Sequence, residues 1–548
     1  MKKYLTLTVM LITTCVMLFA QKGPAAPSQL DRPKLVVGIV IDQMRWDYLY
    51  RYYNKYSNGG FKRLLNDGYA CQNVMINYIP AITAIGHTSI FTATVPSIHG
   101  IAGNDWIDYA TGKSVYCTDD PKEKSVGTDT KAGCMSPRRV LSTTITDELR
   151  LATNFQSKVV GVSMKDRAAI IPAGHNPTGA FWLDDATGRF ITSTYYMNEL
   201  PEWVKTFNDS KPIEKLLANG WNTLLPINQY TESTADNVSW EGKLKGATLP
   251  TFPYDAKKAY ELDHGTLRQM PFGNTLTLQF ARAAIDGYKL GQEKSCDFLT
   301  INCASTDYSG HLVGPNAIEI EDVYLRLDRD LAGFFSYLDQ KVGKGNYLLF
   351  LTADHGAAQA KGFLEANKMP TGLLVRGFDT SIGDMLQKKF GANNLTLAIN
   401  NFQVYFNKAR IDSLGLDLDK VKTATVDFLQ QQAGIQYAAD QDKIAITSIP
   451  AVIKEKMING YNQQRSGSVV MITKPGWLPA YSRTGTTHSV WNPYDTHIPL
   501  IFMGWKIPHG FTTEEHNMTD ISATVAALLH IQMPSGCIGK PITTITHK

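Results

Sequence analysis

Three aspartates and three histidines are spaced along this chain in a way that could build a metal centre. Asp42 follows the apolar run Leu35–Ile41, and Asp307 and His311 lie four apart beyond a second run. Asp354 and His355 are adjacent beyond a third, with Gly356 expected to allow a tight turn, and His488 sits in GTTHSVWNPYDTHIPL. Carboxylate oxygens and imidazole nitrogens in this mixture suit zinc, although such sites also take manganese or cobalt. Singly, each residue is ordinary. The chain has 12 histidines, and an Asp after a strand is more often a turn or capping residue. A nucleophile stands beside the set in Thr83-Ala-Ile-Gly-His87, ahead of Pro96-Ser-Ile-His99-Gly-Ile and Asn104. A Thr before small residues can sit at a helix start, where N–H groups and the helix dipole favour a phosphate. In isolation Thr83 would be read as a helix cap. Two cations occur in Ser163-Met-Lys165-Asp-Arg167. On an extended segment, residues two apart point to the same side. In isolation they would be a solvated loop pair.

These residues need a scaffold, and the apolar runs supply one. Leu35–Ile41, Val159–Met164, Phe298–Ala304, Tyr347–Ala353 and Ile498–Met503 are continuous rather than alternating, so they read as buried parallel strands. Ile320, Val323, Leu327, Leu331, Phe334 and Leu338 repeat every three or four residues and make one helical stripe. Strands alternating with helices predict an α/β fold, a doubly wound, mostly parallel sheet with helices on both faces. Ligands of such sheets bind outside the carboxyl ends of the strands. Four of the five runs lead into a charged residue there. The expected organisation is a catalytic core over 34–180, 276–375 and 481–548, interrupted by an insertion over 181–275 and a capping insertion over 376–480.

The composition is that of a globular protein. Of 548 residues, 43% are hydrophobic and 19% charged, with a formal net charge of +4. No Lys/Arg run suggests nucleic acid. Lys2 and Lys3 precede an apolar stretch from Leu5 to Phe19 and the small residue Ala20. This pattern predicts a signal peptide over 1–20, cleaved before Gln21, and a periplasmic protein. The stretch is shorter than the roughly 20 residues that span a bilayer, so no stable membrane insertion is expected. Six cysteines remain beyond residue 20, with Cys117 and Cys134, which flank a polar loop, as the best disulfide pair.

Taken together, these residues resemble the alkaline phosphatase superfamily, in the branch holding phosphodiesterases/nucleotide pyrophosphatases and Thr-dependent bacterial alkaline phosphatases. The resemblance spans nearly the whole mature chain. It implies Thr83 as nucleophile and Asn104, Lys165 and Arg167 as phosphoryl-binding residues. It implies two zinc ions, one on Asp42, Asp354, His355 and the Thr83 oxygen, the other on Asp307, His311 and His488. The implied activity is hydrolysis of small phosphate monoesters through a phosphothreonine; the sequence leaves the oligomeric state open, with a monomer favoured. Diesterases of the branch commonly carry Thr-Phe-Pro-Asn-His where this chain has Thr83-Ala-Ile-Gly-His87, which favours the monoesterase over a diesterase. Cys134-Met-Ser-Pro-Arg138 departs from the sulfatase signature, because Pro137 lies three rather than two after the Cys. A non-catalytic phosphate- or glycan-binding surface protein would have no need of Thr83.

Overall fold

Apolar runs without polar alternation need cover on both faces. The computed structural model describes residues 30–375 and 377–546; the segment 1–20, predicted to be a signal peptide, lies outside them. Ten strands form the main sheet: β1 Leu35–Ile41, β2 Tyr69–Met75, β3 Ser125–Val126, β4 Val159–Ser163, β5 Gly179–Asp184, β6 Arg189–Ser193, β7 Asp297–Cys303, β8 Tyr347–Thr352, β9 His497–Gly504 and β10 Gly510–Asn517. Their order across the sheet is β10-β2-β9-β8-β1-β7-β4-β5-β6-β3. The central strands β8, β1, β7, β4 and β5 are mutually parallel. β1 and β7 are buried at every position, so helices cover both faces of the sheet. The long helix Ile318–Leu338 buries its whole predicted stripe. Truncating one such leucine to alanine typically costs about 2–5 kcal/mol.

Register explains why the chemistry collects at one edge. Val40 pairs with Thr352 and with Asn302, Ile41 with Cys303, and Ser163 with Asn302. The chain therefore leaves β1, β4, β7 and β8 at one level, delivering Asp42, Lys165, the turn before Asp307, and Asp354 to the same place. The last of the five predicted runs corrects an expectation. β9 runs antiparallel to β8, with Thr352 opposite Leu500. Burial on both faces gives a continuous apolar run whichever way a strand points, so the run Ile498–Met503 carried no direction. Antiparallel pairing sets the start of β9 beside the end of β8. That is how His488, which precedes its strand, reaches the site.

Residues Pro33–Lys548 form one compact unit. Within the stretch 181–275 the main sheet continues through β5 and β6. Within 376–480 lies a second, antiparallel sheet, in the order Thr396–Asn400, Gln403–Phe406, Val469–Thr473, Ile435–Asp440. Ile382, Leu386, Val404, Phe406, Val421 and Leu429 give it a core of its own. The six described cysteines are free, so the Cys117–Cys134 pair is not formed. Main-chain bonds close that loop instead: Asp120 N–H donates to Cys134 O at 2.9 Å and Ser136 N–H to Thr118 O at 2.8 Å.

Candidate active site and metal centre

The six residues meet at the carboxyl edge of the sheet. Asp42, just beyond β1, is fully buried, as are Asp354 and His355 just beyond β8. Asp307 sits in the first turn of α1 (Ser305–Val313), and His311 follows one turn later on the same face. Asp307 Oδ1 lies 3.0 Å from His311 Nε2 and 3.9 Å from His488 Nε2. Asp42 Oδ1 lies 3.7 Å from His355 Nε2, and Asp354 Oδ2 3.4 Å from that same nitrogen. Two clusters could each hold a metal ion: Asp307, His311 and His488, and Asp42, Asp307 and His355. The first is one expected trio. The second shares Asp42 and His355 with the other trio and takes Asp307, with Asp354 alongside.

All three imidazoles are oriented in the same way. Nδ1 faces a main-chain carbonyl in each: Thr486 O at 2.9 Å for His311, Gly356 O at 3.0 Å for His355 and Ala81 O at 2.7 Å for His488. A carbonyl only accepts, so Nδ1 carries the hydrogen in each, and Nε2 is the atom left for a ligand. Burial opposes the charge of His311, but Asp307, 3.0 Å from its Nε2, outweighs burial and raises its pKa. Burial, above all, lowers the pKa of His355, and burial followed by the neighbouring His355 and His311 holds His488 well below the usual imidazole range. Both therefore stay neutral, as ligands must. Burial and then the charge of Asp42 push Asp354 well above the usual carboxylate range. Burial opposes ionisation of Asp307, but the charge of Lys165, then the charge and hydrogen bond of His311, outweigh it and hold its pKa well below the usual carboxylate range. Asp42 Oδ1 and Asp354 Oδ2 are buried without a hydrogen-bond partner. Orphaned carboxylate oxygens in a dry site, facing imidazole lone pairs, fit divalent cations.

Thr83 opens α2 (Thr83–Thr92), an entirely buried helix. It is not the cap: Ile82 holds that position, and no side chain caps the helix. Thr83 Oγ1 points instead to His355 Nε2, 3.4 Å away. Gly86 makes this approach possible, because a Cβ there would lie 2.4 Å from Asp354 O. Gly356 works similarly: a Cβ would come within 2.2 Å of Tyr494 O. It admits a close main-chain contact rather than a tight turn. His87 donates from Nδ1 to Thr83 O at 3.0 Å, and burial lowers its pKa to about 4. Ala84 N–H donates to Asn104 Oδ1 at 3.0 Å. That bond spends the oxygen of the Asn104 amide and leaves its NH₂ available.

Lys165 and Arg167 are not on an extended segment. Lys165 is the N-cap of the helix Asp166–Ala173, and Arg167 lies in its first turn. The strand ends one residue earlier than the apolar run predicts, because Asp166 begins a helix. Fully buried, the Lys165 side chain donates to Asp42 Oδ2 at 2.8 Å and Asp307 Oδ2 at 2.7 Å. Burial opposes its charge, but the two carboxylates outweigh burial and raise its pKa. Arg167 Nη1 donates to Tyr116 Oη at 3.0 Å, while its Nε is buried without a partner.

Three side chains at the site escaped sequence reasoning. Gln43 N–H donates to Asp354 Oδ1 at 3.1 Å and Gln43 Nε2 to Asp307 Oδ1 at 2.6 Å, tying the two carboxylates together. Asn302 Nδ2 donates to Asp42 Oδ2 at 3.3 Å. Tyr116 orients Arg167. Adjacency to Asp42 was the one signal available for Gln43, and a polar residue inside the apolar run of β7 was the signal for Asn302.

Residues 36–497 match the family described as Type I phosphodiesterase / nucleotide pyrophosphatase. The chain is 60% identical over 531 residues to alkaline phosphatase PafA of Elizabethkingia meningoseptica, covering 96% of each chain. It is 52% identical over 519 residues to alkaline phosphatase PhoV of Synechococcus elongatus, covering 95% of this chain and 94% of that one. A crystal structure of wild-type alkaline phosphatase PafA matches with a TM-score of 0.94 at 60% identity, over 95% of this chain and all of that one. This chain therefore belongs to the Type I phosphodiesterase / nucleotide pyrophosphatase family.

Proposed function

We propose that this protein is an alkaline phosphatase that hydrolyses phosphate monoesters through a covalent phosphothreonine at Thr83. The observation that carries the reading is the placement of Thr83 Oγ1 at the start of α2. It is free of capping and faces His355 in a buried site beside Asn104, whose Oδ1 accepts from Ala84 N–H and whose NH₂ is left for substrate. The residues that would hold two metal ions are Asp42, Asp354 and His355 for one, and Asp307, His311 and His488 for the other. Three imidazole nitrogens in the set make zinc the preferred ion. Bound there, two divalent cations supply Lewis-acid chemistry, neutralising charge on the attacking and leaving oxygens of an in-line displacement.

The protein residues then have separable tasks. Thr83 gives up its hydroxyl proton to solvent. Its oxygen forms a bond to phosphorus as the ester P–O bond breaks, and the leaving alkoxide takes a proton from solvent and departs as the alcohol. Water next attacks the phosphothreonine, the Thr83 P–O bond breaks, and inorganic phosphate leaves with the Thr83 hydroxyl restored. The positive end of α2, the Asn104 NH₂, Lys165 and Arg167 hold the non-bridging oxygens, where positioning and electrostatics supply most of the catalysis. We also infer that the chain acts outside the cytoplasm, on the strength of its Lys2/Lys3 and apolar N-terminal pattern.

A monoester carries more charge on those oxygens than a diester does. Cations there favour monoesters, whereas a diester site gains more from an apolar pocket for the second substituent. Charge-assisted bonds from an Arg fork are among the stronger contacts available. Replacing both Lys165 and Arg167 with Ala is expected to cut monoester turnover far more than diester turnover. Each 1.36 kcal/mol of lost differential stabilisation is about a tenfold change in rate. Equal losses on the two substrates would remove these residues from the discrimination. The family description makes a diesterase the second reading.

A further inference from the structure

Gln43 stands where a chain usually carries glycine or asparagine. Its φ is 61°, just beyond β1, and the residue is 3% exposed. Among residues with a side chain, Asn and Asp adopt that left-handed conformation most readily. Strain retained at such a position tends to mark a functional site. The longer amide has a use there. Gln43 Nε2 donates to Asp307 Oδ1 at 2.6 Å, while the main-chain N–H donates to Asp354 Oδ1 at 3.1 Å. Room for the amide is left open on α1. A Cβ at Gly310 would lie 2.0 Å from Gln43 Oε1 and 3.1 Å from its Cδ, and the three atoms nearest to it all belong to Gln43. Gly310 lies inside the helix, between Asp307 and His311, where alanine is otherwise the better helix former. A strained residue and a helix-weakening one thus meet at a single hydrogen bond.

What that bond controls follows from the position of Asp307. Its carboxylate belongs to both clusters, with His311 and His488 in one and with Asp42 and His355 in the other. Rotation of the carboxylate would redistribute its oxygens between them. Two donors oppose that rotation: Gln43 holds Oδ1, and Lys165 holds Oδ2 at 2.7 Å. Oδ1 is the oxygen that faces the two histidines, 3.0 Å from His311 Nε2 and 3.9 Å from His488 Nε2. A carboxylate oxygen has two lone pairs, so the amide takes one and leaves the other for an ion. We propose that Gln43 is a positioning residue that assigns Asp307 to the ion of His311 and His488 and withholds it from the ion of Asp42, Asp354 and His355. The inference rests on the two-metal reading above.

The test measures zinc rather than turnover. Mature holoenzyme equilibrated with buffers of known free zinc gives two stepwise Kd values, and His311→Ala marks which of them belongs to the Asp307 set. Gln43→Gly removes the amide, keeps the main-chain bond to Asp354 and suits the left-handed backbone, so folding is spared. Gly310→Ala displaces the amide without altering Gln43 itself. Each is expected to raise the marked Kd by about 10–100-fold, the usual effect of losing a hydrogen bond to a metal ligand. The other Kd should stay unchanged or fall. The double variant should bind no worse than Gln43→Gly alone, because Gly310→Ala then has nothing to displace. Gln43→Asn, whose amide is one methylene too short, should behave like Gln43→Gly. A marked Kd unchanged in both single variants, both Kd values raised alike, effects that multiply in the double variant, or parental values in Gln43→Asn would each overturn the role of Gln43 alone. Wild-type enzyme that binds fewer than two zinc ions would overturn the two-metal reading and this inference with it.

Discussion

Thr83→Ala is expected to lower monoester turnover by about 10⁴-fold or more, the range seen when a covalent nucleophile is removed. The expectation rests on geometry. Thr83 Oγ1 has no capping role in α2, so the hydroxyl contributes nothing to that helix that an alanine would forfeit. The six candidate ligands keep their positions, because none is held by the Thr83 side chain except through the 3.4 Å approach of His355. His355 itself is fixed by its bond to Gly356 O. The variant should therefore fold and bind metal as the parent does. Thr83→Ser, which keeps a hydroxyl at the same place, should retain much of the rate. Acid quenching during turnover should trap phosphate on the peptide containing Thr83, read as a mass shift absent from the alanine variant. Near-parental rates in Thr83→Ala would place the nucleophile elsewhere.

Chelation is expected to have a comparably large effect, abolishing activity and lowering the thermal midpoint together. Asp42, Asp307 and Asp354 converge in a buried site, and the Lys165 ammonium bonds the first two but not the third. Three clustered carboxylates with one cation are costly unless further positive charge is supplied or a proton is taken up. Burial and Asp42 already push Asp354 toward the protonated form. Metal binding to the folded state alone stabilises it, by about 2.7 kcal/mol at a free concentration of 100 times Kd. Metal analysis should give two zinc ions per active chain, and re-addition should restore both the rate and the midpoint. An active enzyme with one ion, or with none, contradicts the two-metal reading.

Much of this arrangement was legible before any coordinates. A continuous apolar run ending in Asp, as at Ile41–Asp42 or Ala353–Asp354, states both the burial of the strand and the edge at which the acid emerges. The Asp307–His311 spacing needs only a helix to put both on one face, and α1 supplies it. Direction was invisible for β9, since burial on two faces produces the same run either way. The strands β2 and β10, which close one end of the sheet, were also missed. β10 is largely exposed and alternates little, so it lacks the apolar signature of the centre. Lys165 and Arg167 were recognised as a pair, but Asp166 starts a helix that turns them to different partners. Gln43 could not be found by periodicity at all. Its role comes from a left-handed φ of 61° just beyond β1, which aims both its N–H and its side-chain amide at carboxylates from other strands.

The central claim is that this site is built for the dianionic phosphoryl group of a monoester. The most direct measurement is a side-by-side determination of kcat/KM for an aryl phosphate monoester, the matching diester and the matching sulfate, on zinc-loaded wild-type enzyme. Two ligand sets, the Asn104 NH₂, the buried Lys165 and the half-buried Arg167, proposed to surround one phosphoryl position, predict a preference for the monoester over both others by orders of magnitude. A wild-type enzyme that turns over the diester faster than the monoester would contradict the account and assign the chain to the diesterases of its family.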